Sequence, residues 1–190
     1  MVQTMEENQK FIKELINGNE ELFKDELGCL KVAPVRILLK KGAQPVQLEA
    51  RQLPYACKEE AKAAFQKQVK RGVFTPTTLN TTCRSPTVFV QKPNGNGKRV
   101  CVDYSRLNGR LEEYEVPMPR IEELFNKLNG KSWFTSIDLA DAYSQVMVDE
   151  ETRSVLAVTT PDGLYLCNRL PNGVKPAPAI FQGTMALKSF

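Results

Sequence analysis

The chain has 190 residues, of which 42% are hydrophobic and 25% charged, as expected of a globular domain rather than a disordered or fibrous protein. The absence of histidine excludes serine-type triads, histidine-ligated zinc and histidine acid–base catalysis, whereas chemistry on oxygen-bound Mg²⁺ remains possible. The five cysteines form no C-x-x-C pair, so we expect small core residues rather than disulfides or a zinc knuckle. No apolar run reaches membrane-spanning length and the first residues are too polar for a secretory signal, so we expect an intracellular protein, cytoplasmic or nuclear, without a membrane partner.

Charge is segregated along the chain. Residues 1–30 carry a net charge of −4, residues 31–110 carry +12, and residues 111–190 carry −4. A block of +12 is the charge expected of a surface that faces a phosphate backbone, although a solvated lysine-rich face explains it equally well. The acidic C-terminal third is where a cation site could lie.

The N-terminal part predicts helices and extended chain. Residues 6–27 predict two short amphipathic helices joined by a turn, and residues 35–39 predict a strand. A helix is predicted over residues 55–71, because apolar residues recur there at spacing four and Gly72 follows as a stop. The apolar residues are Cys57, Ala61, Phe65 and Val69, and the opposite side carries Lys58, Lys62, Gln66 and Lys70.

A β-hairpin is predicted after this helix. Period-two runs at residues 87–90 and 99–104 flank a cluster of asparagine and glycine, and a threonine-rich loop at residues 75–82 precedes them. Arg99 and Asp103 then project from one face of the returning strand.

The remaining elements alternate between helix and strand, which favours the α+β class. They are an extended stretch at 116–120, a helix at 121–128, a strand on which Phe134, Ser136 and Asp138 share a face, a strand at 145–148, a hairpin of strands 155–159 and 164–167, and a helix at 179–187.

The segment TSIDLADAY, residues 135–143, carries the candidate chemistry. Asp138 ends a predicted strand, where a carboxylate can reach into a cleft and hold Mg²⁺ against substrate phosphates. Alone, an aspartate after a strand is more often a turn or N-cap residue. Here KRVCVDYSRLN precedes it and RLPNGVKPAPAIFQ follows it.

These three motifs, in this order, resemble those of reverse transcriptases of retroviruses and gypsy-type LTR retrotransposons. Three further blocks look like the gypsy-type polyprotein, including the connector between its protease and polymerase: residues 21–30, 50–61 and 116–130.

The resemblance implies an α+β fold of reverse-transcriptase fingers plus an incomplete palm, an antiparallel sheet with helices packed on it. The implied domains are a connector and extended N-terminal segment at 1–54, fingers at 55–115, and a partial palm with interleaved fingers elements at 116–190.

The resemblance also implies roles around Asp138. Asp138 would be the catalytic carboxylate and, with Leu139, would belong to the metal site. The backbone amides of Asp141 and Ala142 would meet the triphosphate of the incoming nucleotide. Tyr143 would select deoxyribose by leaving no room for a 2′-hydroxyl, although it could also be an ordinary core aromatic.

Two cations on the predicted hairpin are implied to bind the nucleotide. Arg99 would close over its phosphates and base, a task that suits a planar guanidinium able to donate paired hydrogen bonds and to stack. Lys92 resembles the family's second phosphate-binding cation, across a turn longer than the usual Lys-Asp-Gly.

The resemblance implies that residues of the first and third motifs approach the template. Ser105 stands where the family has arginine, so Arg106 is either that template-binding arginine displaced by one position or an ordinary surface residue. Gly173 would let the backbone approach template and nucleotide closely. Asn172 would contact the incoming nucleotide, as a polar amide does in retroviral enzymes, although PNG could equally be a generic loop.

The intact family synthesises DNA on an RNA or DNA template, with Mg²⁺ (or Mn²⁺) as cofactor and with template–primer and deoxynucleoside triphosphate (dNTP) as partners. Its second carboxylate motif, aromatic-x-Asp-Asp, occurs nowhere in these 190 residues. We therefore expect a truncated reverse transcriptase domain of a retrotransposon polyprotein that is inactive alone. The alternative is a domesticated, non-catalytic fingers domain that binds nucleic acid or protein.

Overall fold

Helices and a mixed sheet make up the described part of the chain, and the α+β class is confirmed. This computed structural model describes residues 5–24, 26–93, 95, 97–116, 120–132, 134, 136 and 138–186. The helices are α1 Met5–Asn17, α2 Lys58–Lys70, α3 Ser105–Asn108, α4 Ile121–Leu128, α5 Glu150–Val155 and α6 Ala177–Ala186. The strands are β1 Phe74–Thr77, β2 Ser85–Gln91, β3 Lys98–Val102, β4 Val158–Thr160 and β5 Gly163–Cys167. 3-10 turns lie at Glu20–Phe23, Tyr55–Cys57 and Ala142–Gln145.

The five strands form one sheet in the order β1-β5-β4-β2-β3. Neighbours are antiparallel except β2 and β4, which pair in parallel at Ser85 with Val158 and at Pro86 with Thr159. The two hairpins, β2–β3 and β4–β5, are those that the alternating sequence predicts. The expectation of an antiparallel sheet is therefore right at every pair but β2–β4.

Strand β1 and helix α5 differ from what the sequence pattern predicts. Residues 74–77 form β1 instead of the start of a loop, since Phe74 pairs with Cys167 at a sheet edge that tolerates Pro76. Val155 ends helix α5 rather than beginning a strand, because Asp149 caps that helix by accepting a hydrogen bond from Thr152 N at 2.8 Å. Strand β4 consequently begins three residues later than predicted.

Two predicted strands are reduced to isolated β-bridges. Val35 bridges Val148, Leu39 bridges Leu111, and Met147 bridges Arg169. Since consecutive pairs do not form along residues 35–39 or 145–148, neither segment builds a ladder, and Gln145 instead ends a 3-10 turn.

The predicted strand before Asp138 is also not observed in the residues that can be described. Phe134, Ser136 and Asp138 are exposed and belong to no strand, and no described segment pairs with them. Residues 133, 135 and 137 lie outside the described residues, as do 117–119 of the predicted extended stretch and Leu187 of the last predicted helix.

The core is one cluster to which α2, α3, α5, α6 and the sheet all contribute buried residues. Phe65 of α2 stacks on Phe74 with ring centroids 5.0 Å apart and meets Tyr165 edge-on at 4.8 Å. All five cysteines are free; Cys83 and Cys167 are buried as predicted, whereas Cys29 is exposed. The predicted helices at 55–71 and 121–128 are confirmed, and no described helix is long and apolar enough to cross a membrane.

Candidate functional site

Residues 138–143, here called the aspartate turn, form an exposed segment that enters a 3-10 helical turn. Asp138, Leu139, Ala140 and Asp141 are exposed, and the 3-10 turn begins at Ala142. Asp141 adopts a left-handed conformation, φ 49° and ψ 39°, the one positive φ outside glycine among the described residues. Aspartate tolerates this region better than most residues.

Two side chains outside the aspartate turn contact it. Arg71, which follows α2, places Nη2 2.6 Å from a carboxylate oxygen of Asp141. Gln145 Nε2 donates to the carbonyl oxygen of Ala140 at 2.9 Å. Reasoning from the sequence missed both residues. No motif marks Arg71, which is 70 positions from its partner, and Gln145 was predicted to begin a strand.

Tyr143 joins the aspartate turn to α6. Its half-buried ring meets Phe181 edge-on, with centroids 5.3 Å apart and planes at 66°. Helix α6 directly follows residues 171–175, here called the glycine loop. The structure therefore brings the second and third sequence motifs into contact.

Lys92 and Arg99 lie on opposite sides of the β2–β3 turn, and both are exposed. The turn is closed by hydrogen bonds from Lys92 N to Gly97 O at 3.1 Å and from Gly95 N to Lys92 O at 2.9 Å. Lys98 is largely covered, with 12% of its side chain exposed, and lies 3.6 Å from Glu60 of α2. Arg99, by contrast, forms no ion pair with any residue that the structure describes, so its charge is available to a ligand.

Asp103 is the centre of a charged cluster at the end of β3. Its carboxylate accepts a hydrogen bond from Ser105 N at 3.1 Å and pairs with Arg51. The hydrogen bonds from Ser105, together with the charges of Arg51 and Arg106, hold the pKa of Asp103 below its usual value. Arg106 itself is exposed on α3.

The glycine loop is tied to α3 by Asn108. Asn108 Nδ2 donates to the carbonyl oxygen of Gly173 at 2.9 Å, and its Oδ1 accepts from Lys175 N at 2.8 Å. Gly173 has φ 87°, a conformation that a side chain would strain, and Asn172 is exposed. Asn108 ends the motif KRVCVDYSRLN but was assigned no role from the sequence.

The predicted site residues are brought together only in part. Tyr143 reaches the helix after the glycine loop, and Asn108 joins the helix of Arg106 to Gly173. No hydrogen bond or ion pair within the described part of the chain links Asp138 to Lys92 or Arg99. The roles assigned to these residues stay predictions.

A divalent metal fits the described residues only incompletely. No group of three histidine, cysteine, aspartate or glutamate residues that could hold a metal lies within the described ranges. Asp141 is already paired with Arg71, which leaves the Asp138 carboxylate and the Leu139 carbonyl as the oxygen ligands predicted here. Because sites for divalent ions use several oxygens, the described residues alone do not complete one.

Comparison with known sequences gives a consistent result. Residues 90–187 match the family described as reverse transcriptase (RNA-dependent DNA polymerase). The uncharacterized protein K02A2.6 of Caenorhabditis elegans is 36% identical over 174 residues, covering 90% of this chain and 14% of that protein. The retrovirus-related Pol polyprotein from transposon 412 of Drosophila melanogaster is 29% identical over 202 residues, covering 95% of this chain and 16% of the polyprotein. The chain thus spans only a small part of the length of these relatives.

Comparison with solved structures supports the fold. The crystal structure of native prototype foamy virus protease-reverse transcriptase aligns with a TM-score of 0.83 at 23% identity, covering 97% of this chain and 25% of that one. The selenomethionine-labelled CSH mutant of the same protein aligns equally well, at 22% identity.

Proposed function

Because the chain belongs to the reverse transcriptase family, we propose that it forms the fingers and the first part of the palm of a gypsy-type retrotransposon polymerase. Residues 1–54 would be the connector, residues 55–115 the fingers, and residues 116–190 the partial palm with interleaved fingers elements. In the reaction, a primer 3′-hydroxyl attacks the α-phosphate of a dNTP, which extends the primer by one nucleotide and releases pyrophosphate. This takes place inside the cell, in the cytoplasm or nucleus.

The contact between Tyr143 and Phe181 is the observation that carries this proposal. It packs the aspartate turn on the helix that follows the glycine loop, so that two motifs separated in sequence are in contact, as a shared site would require. The first N–H groups of a helical turn have no acceptor inside that turn, which leaves the amides of Asp141 and Ala142 able to bind triphosphate oxygens. The Tyr143 ring, held by Phe181, would then form the wall that excludes a 2′-hydroxyl.

The remaining predicted residues are proposed to bind nucleotide and template around this centre. Arg99 and Lys92, exposed on the β2–β3 hairpin, would neutralise the triphosphate, and Asn172 would contact the nucleotide. Gly173 and Arg106 would approach the template. Reverse transcriptases in general bind nucleic-acid templates and dNTPs, which supports these assignments.

Reverse transcriptases in general depend on a divalent metal. We propose that Mg²⁺ (or Mn²⁺) is held by the Asp138 carboxylate and the Leu139 carbonyl, together with carboxylates that these 190 residues do not contain. Since the aromatic-x-Asp-Asp motif is absent from the sequence, these 190 residues alone should not polymerise DNA. Primer extension with the purified chain, Mg²⁺ and dNTPs should yield no product, and product that depends on Asp138 would contradict this.

Nucleotide binding tests the site independently of polymerisation. We expect dATP with Mg²⁺ to shift the ¹H–¹⁵N amide signals of Asp141 and Ala142, and ATP to bind more weakly because of Tyr143. The substitution Arg99→Ala should weaken dATP binding by about tenfold, as loss of a charge-assisted hydrogen bond does.

A matched control removes the same charge outside the site. Lys131→Ala, at an exposed position after α4, should leave dATP binding unchanged. Equal effects of Arg99→Ala and Lys131→Ala, or shifts confined to residues away from the aspartate turn, would count against the proposed site.

A second candidate function is non-catalytic binding of nucleic acid. Lys58, Lys62 and Lys70 are exposed on α2, within the segment of net charge +12. Contacts with phosphates release counterions, so affinity for a single-stranded oligonucleotide should fall steeply with salt and with reversal of these three charges. Reversal of Lys10 and Lys13 on α1 is the control, and affinity that does not change with salt would exclude this function.

A further inference from the structure

We propose that Arg71 and Gln145 are positioning residues that preform residues 140–142, the nucleotide-binding part of the aspartate turn. The inference rests on the proposed function and adds to it the means by which the site is shaped before a nucleotide arrives. Neither residue would need to touch the nucleotide. Each would act through the backbone that carries the amides of Asp141 and Ala142.

The aspartate turn does not hold its own shape. Asp141 occupies the left-handed region, which costs residues with a Cβ atom conformational energy even though aspartate tolerates it better than most. Leu139, Ala140 and Asp141 are exposed, so they bury little apolar surface that could stabilise this conformation. The contacts that select it therefore come from outside residues 138–143: from Arg71, distant in sequence, and from Gln145, just after the turn.

Arg71 reaches the turn from a rigid base. Gly72, with φ 72°, closes the end of α2 by donating to Val69 O at 2.9 Å, and Val73 N donates to Gln68 O at 3.0 Å. Asn168 then fixes the carbonyl of Gly72 through a hydrogen bond of 3.1 Å. With its backbone fixed, Arg71 presents its guanidinium to the Asp141 carboxylate at 2.6 Å.

Gln145 holds the other end of the turn. Its Nε2 donates to the carbonyl oxygen of Ala140, and its own backbone carbonyl accepts a hydrogen bond from Leu30 N at 2.8 Å. Gly28 packs so closely that a Cβ atom there would lie 3.2 Å from Gln145 Oε1. The N-terminal segment thus holds Gln145 in place, and Gln145 in turn holds Ala140.

Arg71 and Gln145, here called the anchors, hold the adjacent residues Asp141 and Ala140. Together they restrict the turn more than either does alone. A half-exposed ion pair contributes little to global stability, so the effect of Arg71 should be local. If the binding-competent turn is populated only part of the time when an anchor is missing, the apparent affinity for nucleotide falls by that fraction. Positioning therefore predicts a local change in dynamics together with a loss of affinity.

The test uses the full 190-residue chain. Arg71→Met and Gln145→Met remove each anchor at nearly constant size, and Lys67→Met removes one exposed charge one turn earlier on α2 as the control. We expect the ¹⁵N order parameters of residues 140–142 to fall in both anchor variants, from about 0.85 towards about 0.6, while those of β4 and β5 stay unchanged. Binding of dATP with Mg²⁺ should weaken about tenfold, and Lys67→Met should change neither quantity.

The outcomes separate this inference from the proposed function. Unchanged order parameters and unchanged dATP affinity in both anchor variants would overturn the inference and leave the proposed function intact. Absence of dATP binding by the unsubstituted chain would instead contradict the nucleotide site, while the order parameters of residues 140–142 would still decide the positioning role. Should a methionine variant lose cooperative unfolding, Arg71→Gln and Gln145→Glu, which keep a long polar side chain but remove the ion pair or the amide donor, enter the same comparison.

Discussion

Asn108 connects the end of α3 to the glycine loop. It uses both ends of one amide, donating to Gly173 O and accepting from Lys175 N. Because the partners are backbone atoms, the contact fixes the path of the loop rather than the position of one side chain. The path requires a positive φ at Gly173, which glycine adopts without steric cost because it has no Cβ atom.

Removal of this bridge should loosen the loop. Asn108→Ala deletes two hydrogen bonds and should lower the free energy of unfolding by about 1–2 kcal/mol, measured by urea denaturation. Asn108→Asp keeps the acceptor for Lys175 N but loses the donor, and should have an intermediate effect. An alanine variant as stable as the unsubstituted chain would show that the loop is held by other contacts.

Buried ionisable groups make the core sensitive to base. Burial raises the pKa of the Cys167 thiol from 9.0 to about 12, and burial likewise raises the pKa of Tyr104 well above its usual value. In the unfolded chain these groups ionise at lower pH than in the folded protein. The stability associated with their neutral forms is therefore complete below about pH 9 and is lost as pH rises towards 12.

Denaturation at a series of pH values tests this dependence. The free energy of unfolding should fall above pH 9 by up to about 1.4 kcal/mol per pH unit for each buried group. Cys167→Ala should make the fall less steep, with Tyr104 still contributing at higher pH. Cys29→Ala, which changes an exposed thiol, should follow the unsubstituted curve, and a Cys167→Ala curve with the original slope would contradict the assignment.

At the scale of elements, helix α2 forms one side of the core and also leads into Arg71. Phe65 is 4% exposed and contacts the rings of Phe74 on β1 and Tyr165 on β5. One side chain therefore links the helix to two neighbouring strands. Loss of this packing would also displace the base from which Arg71 reaches the aspartate turn.

Truncation of Phe65 should be among the most costly single changes in the fold. Phe65→Ala should lower the free energy of unfolding by about 3–5 kcal/mol, because it removes buried apolar contacts and leaves a cavity. Phe11→Ala on α1 is the control, since Phe11 is 62% exposed and should change stability little. Chemical denaturation monitored by circular dichroism measures both, and equal effects would contradict the central place of Phe65.

Elements with a local signal were predictable from the sequence, and those that depend on distant partners were not. The spacing of apolar residues predicts α2 and α4, and strand alternation around asparagine and glycine predicts the β2–β3 hairpin. Strand β1 depends on pairing with β5, and the segment 35–39 lacks consecutive partners. The predictions made from local pattern were therefore wrong for both segments.

The candidate site likewise contains residues that the sequence indicates and residues that it does not. Asp138, Tyr143 and Gly173 stand in motifs that the sequence displays. Arg71 and Asn108 act through partners 70 and 65 positions away, and no spacing rule indicates such pairs. Contacts that position a site therefore emerge only once the chain is folded, whereas groups proposed to perform the chemistry are visible in the sequence.

At the scale of the whole molecule, two helices present apolar faces to solvent. On α1 and α4 the exposed large apolar residues are Phe11, Ile12, Leu15, Ile16, Ile121, Leu124, Phe125 and Leu128. Contiguous apolar surface of this kind promotes association between molecules. Helix α4 is the clearer example of an exposed apolar face, because all four of its large apolar residues are at least 44% exposed.

Charge introduced on the apolar face of α4 should reduce self-association without unfolding the chain. Leu124→Glu with Phe125→Glu removes side chains that are 44% and 67% exposed and contribute little to the core, so the melting temperature should stay close to its original value. Light scattering after size-exclusion chromatography should show oligomers of the unsubstituted chain at high concentration and a larger monomer fraction for the variant. Asn126→Glu adds charge to the same helix without removing apolar area, and should have the smaller effect. A strictly monomeric unsubstituted chain, or equal effects of the two variants, would show that this face does not drive association.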